Sequence, residues 1–220
     1  MAIRNIPVNT LLPPKAPNLL LAPSTYNSAY QEELNNALRL YFNQLDNVFQ
    51  TFLNNTTGGS FIRLPHGAFQ DNTSQTATAN TATVVKLGTT DVSNGVSIVG
   101  GSKITVVTPG LYNLQFSGQF QNTDNASHDA SIWIRINGID VVGSNSIVGM
   151  SPRYSAGNYF HTIAAWNYFI AVQATDYVEL WWSTDNTGVS LQAYAAGTSP
   201  TRPTTASVIA TLSFVSALTA

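Results

Sequence analysis

Between residues 111 and 120 the sequence LYNLQFSGQF alternates, with Tyr112, Leu114, Phe116 and Phe120 at even positions and Asn113, Gln115, Ser117 and Gln119 among them. Successive side chains of a strand point to opposite faces, so this pattern predicts a strand with one face in a core and one in water. SIWIRINGID at 131–140 alternates differently: Ile132, Ile134 and Ile136 share one face, while the other carries Trp133 and Arg135. Asn137-Gly138 closes a hairpin behind it, because both central residues of the tight turn need positive φ. FHTIAAWNYFIAV at 160–172 is apolar on both sides, with Trp166, Tyr168, Ile170 and Val172 facing one way and Ile163, Ala165, Phe169 and Ala171 the other. A strand of that kind is covered twice. Its own core supplies one cover; a homo-oligomer interface is the simplest second, which makes Ile163 and Phe169 the expected interface residues. DYVELWW at 176–182 puts Tyr177, Glu179 and Trp181 on one side, and beside 131–136 it would pair Glu179 with Arg135 across the sheet.

The period of two marks further candidate strands at 61–64, 82–87, 96–99, 103–107, 139–143, 189–195 and 207–216, with turns at Asn94-Gly95, Pro109-Gly110, Asn137-Gly138 and Thr187-Gly188. No helical period interrupts them. That is the layout of an all-β sandwich or jelly roll over 61–220.

Upstream the period changes. Leu34, Leu38, Tyr41, Leu45, Val48 and Phe52 are spaced 4, 3, 4, 3 and 4, the 3.5-residue repeat of a coiled coil. A helix over 28–53 is expected, roughly 38 Å long at 1.5 Å per residue. Ser28 with Gln31 reads as a capping box, and Glu32 and Glu33 suit the positive helix end. The seam either bundles copies of the helix or lays it on the chain's own β domain. NNTTGGS at 54–60 ends it as a hinge. Residues 1–27 contain Pro7, Pro13, Pro14, Pro17 and Pro23, which block regular helix and central strand. They also carry Ile3, Ile6, Val8, Leu11, Leu12, Leu19, Leu20 and Leu21. Disordered linkers are polar, so this stretch is expected to be an extended anchoring arm lying in a groove of another protein, the alternative being a flexible tail or a segment folded back on its own domain.

Composition narrows the function more than the fold. A 220-residue chain buries roughly 70% of its unfolded surface and folds without staples. The absence of cysteine excludes disulfides, thiolate metal sites and thiol nucleophiles. Nine basic and eleven acidic residues leave 9% charge against a typical 25% or so, too little base to neutralise a phosphate backbone, so no nucleic-acid partner is expected. The polar surface comes from Thr, Ser, Asn and Gln, as in DNTSQTATANTAT at 71–83, and repels neighbouring copies weakly. Neither an export signal nor a membrane span is expected, since no basic-then-apolar leader opens the sequence and no run nears 18 apolar residues.

Candidate chemistry is sparse. His66, His128 and His161 lie in unrelated contexts without metal-ligand spacing, and DNASHD at 124–129 reads as a solvated turn ahead of a cation site. No nucleophile elbow, phosphate loop or dinucleotide fingerprint is present. Asp176 and Glu179, three apart on one strand, point to opposite faces and do not form a carboxylate pair. The expectation is a protein that is not an enzyme and carries no cofactor or metal. In the loop GMSPRYSAGNYF at 149–160, Arg153, Tyr154 and Tyr159 form a possible ligand site, able to stack on a sugar ring.

GLYNLQFSGQ at 110–119, SIWIRINGIDVVGS at 131–144, QATDYVELWWS at 173–183 and SVIATLSFVS at 207–216 resemble the globular heads of the complement and tumour-necrosis-factor-like jelly-roll superfamily. The resemblance implies that these are the third, fourth, seventh and last main strands, with the fourth and seventh adjacent in an outer sheet and the 160–172 strand in the inner sheet facing a threefold axis. Thr175-Asp176 stands where that family usually has Gly-Asp. A second resemblance covers nearly the whole chain. AYQEELNNALRLYFNQLDN at 29–47, FIRLPHGAFQDNTSQTAT at 61–78 and AGTSPTRPTTASV at 196–208 look like virion structural proteins of tailed bacteriophages, especially those infecting marine bacteria. It implies a trimeric appendage: a short fibre, a whisker or a decoration.

Together these give the expected architecture as mainly β: a ten-stranded jelly-roll sandwich at 61–220, preceded by an extended arm at 1–27 and one coiled-coil-type helix with its hinge at 28–60. The expected function is a non-enzymatic homotrimeric virion component, assembled in the host cytoplasm and joined to other virion proteins through the arm. The alternative is a receptor- or glycan-binding module, a fibre tip or lectin-like protein, with a host surface glycan or receptor as partner.

Overall fold

Asn27 starts the helix. The computed structural model describes residues 14–19, 21–53 and 64–218, and the chain divides into two units, one ending at Arg63 and one beginning at Leu64. In the first, the Asn27 side-chain oxygen accepts from the Tyr30 N–H at 3.2 Å and its carbonyl accepts from Gln31 N–H at 3.1 Å, which opens α1 (Ser28–Leu53). The cap is therefore Asn27 and not Ser28; Tyr30 occupies the third helical position, where a capping box needs Glu or Gln, so that box does not form. Leu34, Leu38, Tyr41, Leu45 and Val48 lie on one half-exposed stripe, and Phe42, Phe49 and Phe52 widen it while remaining 58%, 55% and 41% exposed. No described side chain of α1 is buried. Ahead of it, residues 14–19 and 21–27 contain neither helix nor strand, and Leu19 and Leu21 are exposed. Ile3, Ile6, Leu11, Leu12 and Leu20, and the 54–60 hinge, lie outside the described residues.

The second unit is a sandwich of two antiparallel sheets built on ten longer strands. In the first sheet the order is β4 (Thr89–Asn94), β1 (His66–Asp71), β16 (Val208–Ser216), β7 (Gly110–Asn122) and β11 (Phe160–Val172), with short β13 (Val189–Leu191) along the end of β7 and β2 (Gln75–Thr76) beyond it. In the second the order is β5 (Val96–Val99), β6 (Lys103–Val106), β12 (Tyr177–Thr184), β8 (His128–Ile136) and β10 (Ser146–Met150), with β3 (Thr83–Val84) on β12 and β9 (Ile139–Asp140) on β8. A separate hairpin pairs β14 (Gly197–Thr198) with β15 (Thr201–Arg202). The chain crosses between sheets from β6 to β7, β7 to β8, β10 to β11 and β11 to β12, the winding of a jelly roll. Between the sheets lie Tyr112, Leu114 and Phe120, Ile132 and Ile134, Leu180 and Trp182, and Leu212, each at most 1% exposed. The hairpin after β8 turns at Asn137 and Gly138, whose φ values of 52° and 79° are both in the region the Asn-Gly pair selects.

Three strands carry no readable alternation. β1 turns Gly67, Phe69 and Asp71 inward, only one of them a large apolar residue. Its glycine is required by space, since a Cβ at Gly67 would stand 2.4 Å from the Phe69 ring. Asp71 is buried because its carboxylate accepts from the Thr73 and Gly88 N–H groups at 2.8 and 3.0 Å. β4, TTDVSN, is a largely exposed edge strand, and β10, SIVGM, is short and mixed. Of the expected 82–87 strand only Thr83–Val84 joins a ladder; Val85 and Leu87 are buried and bonded singly, to the Leu180 and Gly101 carbonyls.

Candidate functional site

β11 answers the question its two apolar faces raised. Its even-numbered side turns to the core and its odd-numbered side stands outward, with Ile163 65% and Phe169 62% exposed. The register sets Ile163 opposite Gln119, Ala165 opposite Ser117 and Phe169 opposite Asn113 on β7, and Ile209 of β16 opposite Ser117, so these residues share one surface. Along β7, β11 and β16 that surface holds no Asp, Glu, Lys or Arg. On it is an open hollow of about 430 Å³ lined by Phe116, Ser117, Ala165, Trp166, Ile209 and Thr211. Among the described residues nothing covers Ile163 or Phe169.

The outer face of the second sheet is covered from within. β8 and β12 are neighbours, and Arg135 stands directly opposite Glu179. The expected ion pair between them is corrected, however: Arg135 Nε bonds the Asp140 carboxylate, which reaches it across the Asn137-Gly138 hairpin, and Trp133 Nε1 donates to the same carboxylate. The guanidinium lies 3.8 Å over the Trp181 ring and 5.8 Å from that of Trp133. These two bonds hold the Asp140 carboxyl below its ordinary pKa. Glu179 is buried and separately satisfied, accepting from Ser102 Oγ at 2.8 Å and Trp181 Nε1 at 3.2 Å. Arg135 has a register partner on each side, Glu179 on β12 and Asp140 on β9, and its guanidinium bonds the one across the hairpin; Asp140 in SIWIRINGID was the available signal.

The loops at one end of the sandwich gather His128, Asp124 and Asp185. His128 Nε2 lies 2.8 Å from Asp124 and its Nδ1 3.2 Å from Asp185. Burial disfavours the imidazolium, but the two carboxylates outweigh it and raise the His128 pKa. His128 pulls the Asp124 carboxyl down in return. Among the described residues no group of three or more His, Asp or Glu side chains could hold a metal ion. In the 149–160 loop, among the described residues, no hydrogen bond or ring contact joins Arg153, Tyr154 and Tyr159 to one another: Arg153 donates to the Thr123 carbonyl at 3.1 Å, and the Tyr154 ring lies 6.2 Å from that of Phe160 at a tilt of 48°. Tyr194 itself, between β13 and β14, joins Gln121, His161 and Arg202; no sequence motif pointed to that cluster, since Gln121 and His161 lie 73 and 33 residues from Tyr194 and only Arg202 is near it in the chain.

No family model matches the chain, and no curated protein matches it. Among solved structures it is similar to the globular domain of zebrafish complement 1qA protein, at 9% identity and a TM-score of 0.41, over 71% of this chain and 100% of that one. A likeness at this identity concerns fold alone.

Proposed function

We propose that the chain is a non-enzymatic structural component of a tailed-phage virion, a homotrimer whose arm docks on a neighbouring virion protein and whose sandwich projects outward. The uncharged surface bearing Ile163, Phe169 and Ile209 carries this reading. A surface without charge meets a copy of itself with no like-charge clash, and each large apolar side chain fully buried there contributes roughly 1.5 to 3 kcal/mol. The unburied seam of α1 offers a second self-association surface at the period of a coiled coil. The virion setting rests on the likeness of residues 29–47, 61–78 and 196–208 to phage structural proteins and on the apolar, proline-rich start of the chain. Light scattering on the full-length protein tests the assembly: three copies are expected, and a stable monomer overturns it. Deleting residues 1–25 tests the arm. The truncated trimer should stay soluble and fail to join particles, whereas normal incorporation refutes docking.

A further inference from the structure

The segment between β13 and β16 closes on itself through paired backbone hydrogen bonds of 3.0 and 2.9 Å between Tyr194 and Thr205, and its two ends join β7 of the first sheet, where the Gln192 N–H donates to the Gln119 carbonyl at 2.7 Å and the Gln119 N–H to the Ser207 carbonyl at 2.8 Å. The Tyr194 hydroxyl donates to the Gln121 amide oxygen at 2.9 Å and lies 3.2 Å from His161 Nδ1. A phenol has one proton, and here it points at Gln121. The His161 Nδ1–H therefore faces the tyrosine oxygen and Nε2 is left as a free acceptor. Burial depresses the His161 pKa, which keeps the ring neutral. Arg202 stands 5.4 Å from the Tyr194 ring centroid, fixed by one bond from Nη1 to the Ala195 carbonyl at 3.0 Å. Among the described residues it has no carboxylate partner.

Gln119, His161, Tyr194, Arg202 and Thr205 line a cleft of about 280 Å³, and Tyr194 and Thr205 also border an adjoining one of about 460 Å³ that adds Asn72, Ser74 and Thr204. The lining has one cation, no acid, and a run of amides and hydroxyls beside aromatic rings. We propose that this double cleft binds an acidic oligosaccharide, with the sugar's carboxylate or sulfate on Arg202 and ring hydroxyls on His161 Nε2, Gln119 and Thr205. Sugar hydroxyls both donate and accept, which matches a lining that alternates the two roles. A single guanidinium is too little charge for a nucleic acid strand, and the polar lining does not suit an apolar ligand.

His161 stands two residues from Ile163 on the same side of β11 and Gln119 is the register partner of Ile163, so the cleft shares the edge of the proposed assembly surface and is tested on the assembled full-length protein. Calorimetric titrations would use a galacturonate tetrasaccharide, a sulfated galactan tetrasaccharide, maltotetraose, and sodium acetate and sulfate. Saturable binding of at least one acidic tetrasaccharide is expected, weakened at least tenfold by Arg202→Gln and at least fivefold by Tyr194→Phe, which keeps the ring and the fold. Tyr154→Ala, on the neighbouring loop, should change nothing. The proposal is overturned if neither acidic tetrasaccharide saturates, if maltotetraose or the simple salts bind as tightly, or if Arg202→Gln binds like the parent. Light scattering on the same samples separates this outcome from assembly, because a trimer that binds no sugar refutes the cleft alone.

Discussion

At the scale of single residues, the two carboxylates around Arg135 do different work. Glu179 is buried and its loss strands the Ser102 hydroxyl and the Trp181 N–H, so Glu179→Ala should destabilise the sandwich by about 1 to 3 kcal/mol in urea unfolding. Asp140 is exposed on a hairpin, and Asp140→Ala should cost clearly less while still coupling to Arg135→Ala in a double-mutant cycle. Equal losses from the two substitutions would contradict the assignment of partners. His128 gives a pH signature with a definite sign. Its folded pKa lies above its ordinary 6.5, so the stability it contributes is present below 6.5 and is lost as pH rises through the folded value. Asp124 acts oppositely, its contribution present above 3.8 and lost as pH falls through its lowered folded value. Asp129 and Arg153 also lie near, and neither has a partner role with the imidazole. Melting temperature should therefore fall between pH 6 and pH 8 in the parent, and His128→Gln should flatten that fall; an unchanged slope would remove the histidine from the account.

At the scale of elements, legibility followed the contrast between faces. β7, β8, β12 and β16 were readable because alternate residues differ in character, while β11 was readable as a long apolar run without a helical period, and the expected 160–172 strand coincides with it at both ends. β1 was missed because its inward positions are a glycine and a hydrogen-bonded aspartate around one phenylalanine, chemistry that depends on partners elsewhere in the chain. β4 was missed because an edge strand has no second wet-or-dry contrast to show. The Tyr194 cluster was invisible for the same kind of reason, as its contacts are made by folding and not by spacing. In α1 the period of the seam was plain, but the cap was displaced by one residue because Asn27 and Ser28 are equally good cap formers and sequence alone does not rank them. The difference is measurable. Asn27→Ala should cost about 1 kcal/mol of helix stability and lower the helical circular dichroism signal, while Ser28→Ala should leave both nearly unchanged; the reverse order would restore the serine cap.

At the scale of the whole molecule, the proposed trimer draws on two separate surfaces, the α1 seam and the Ile163 and Phe169 face, joined by the short stretch from 54 to 63. Once three copies associate through one surface, the other meets its partners at an effective concentration of order millimolar, since both surfaces belong to the same chain and only about ten residues separate them in sequence. A weak second contact then forms almost completely, and loss of either alone is buffered. Leu38→Glu with Leu45→Glu should therefore leave a trimer at micromolar protein that dissociates on dilution sooner than the parent, and Ile163→Asp with Phe169→Asp should do the same. Only the fourfold variant should be monomeric at all micromolar concentrations in sedimentation velocity. The sandwich of that monomer should melt near the temperature of the parent's, because none of the four side chains belongs to the core between the sheets. If the helix pair alone yields monomers, the sheet face is not a self-association surface, and the uncharged face would need a different partner to cover it.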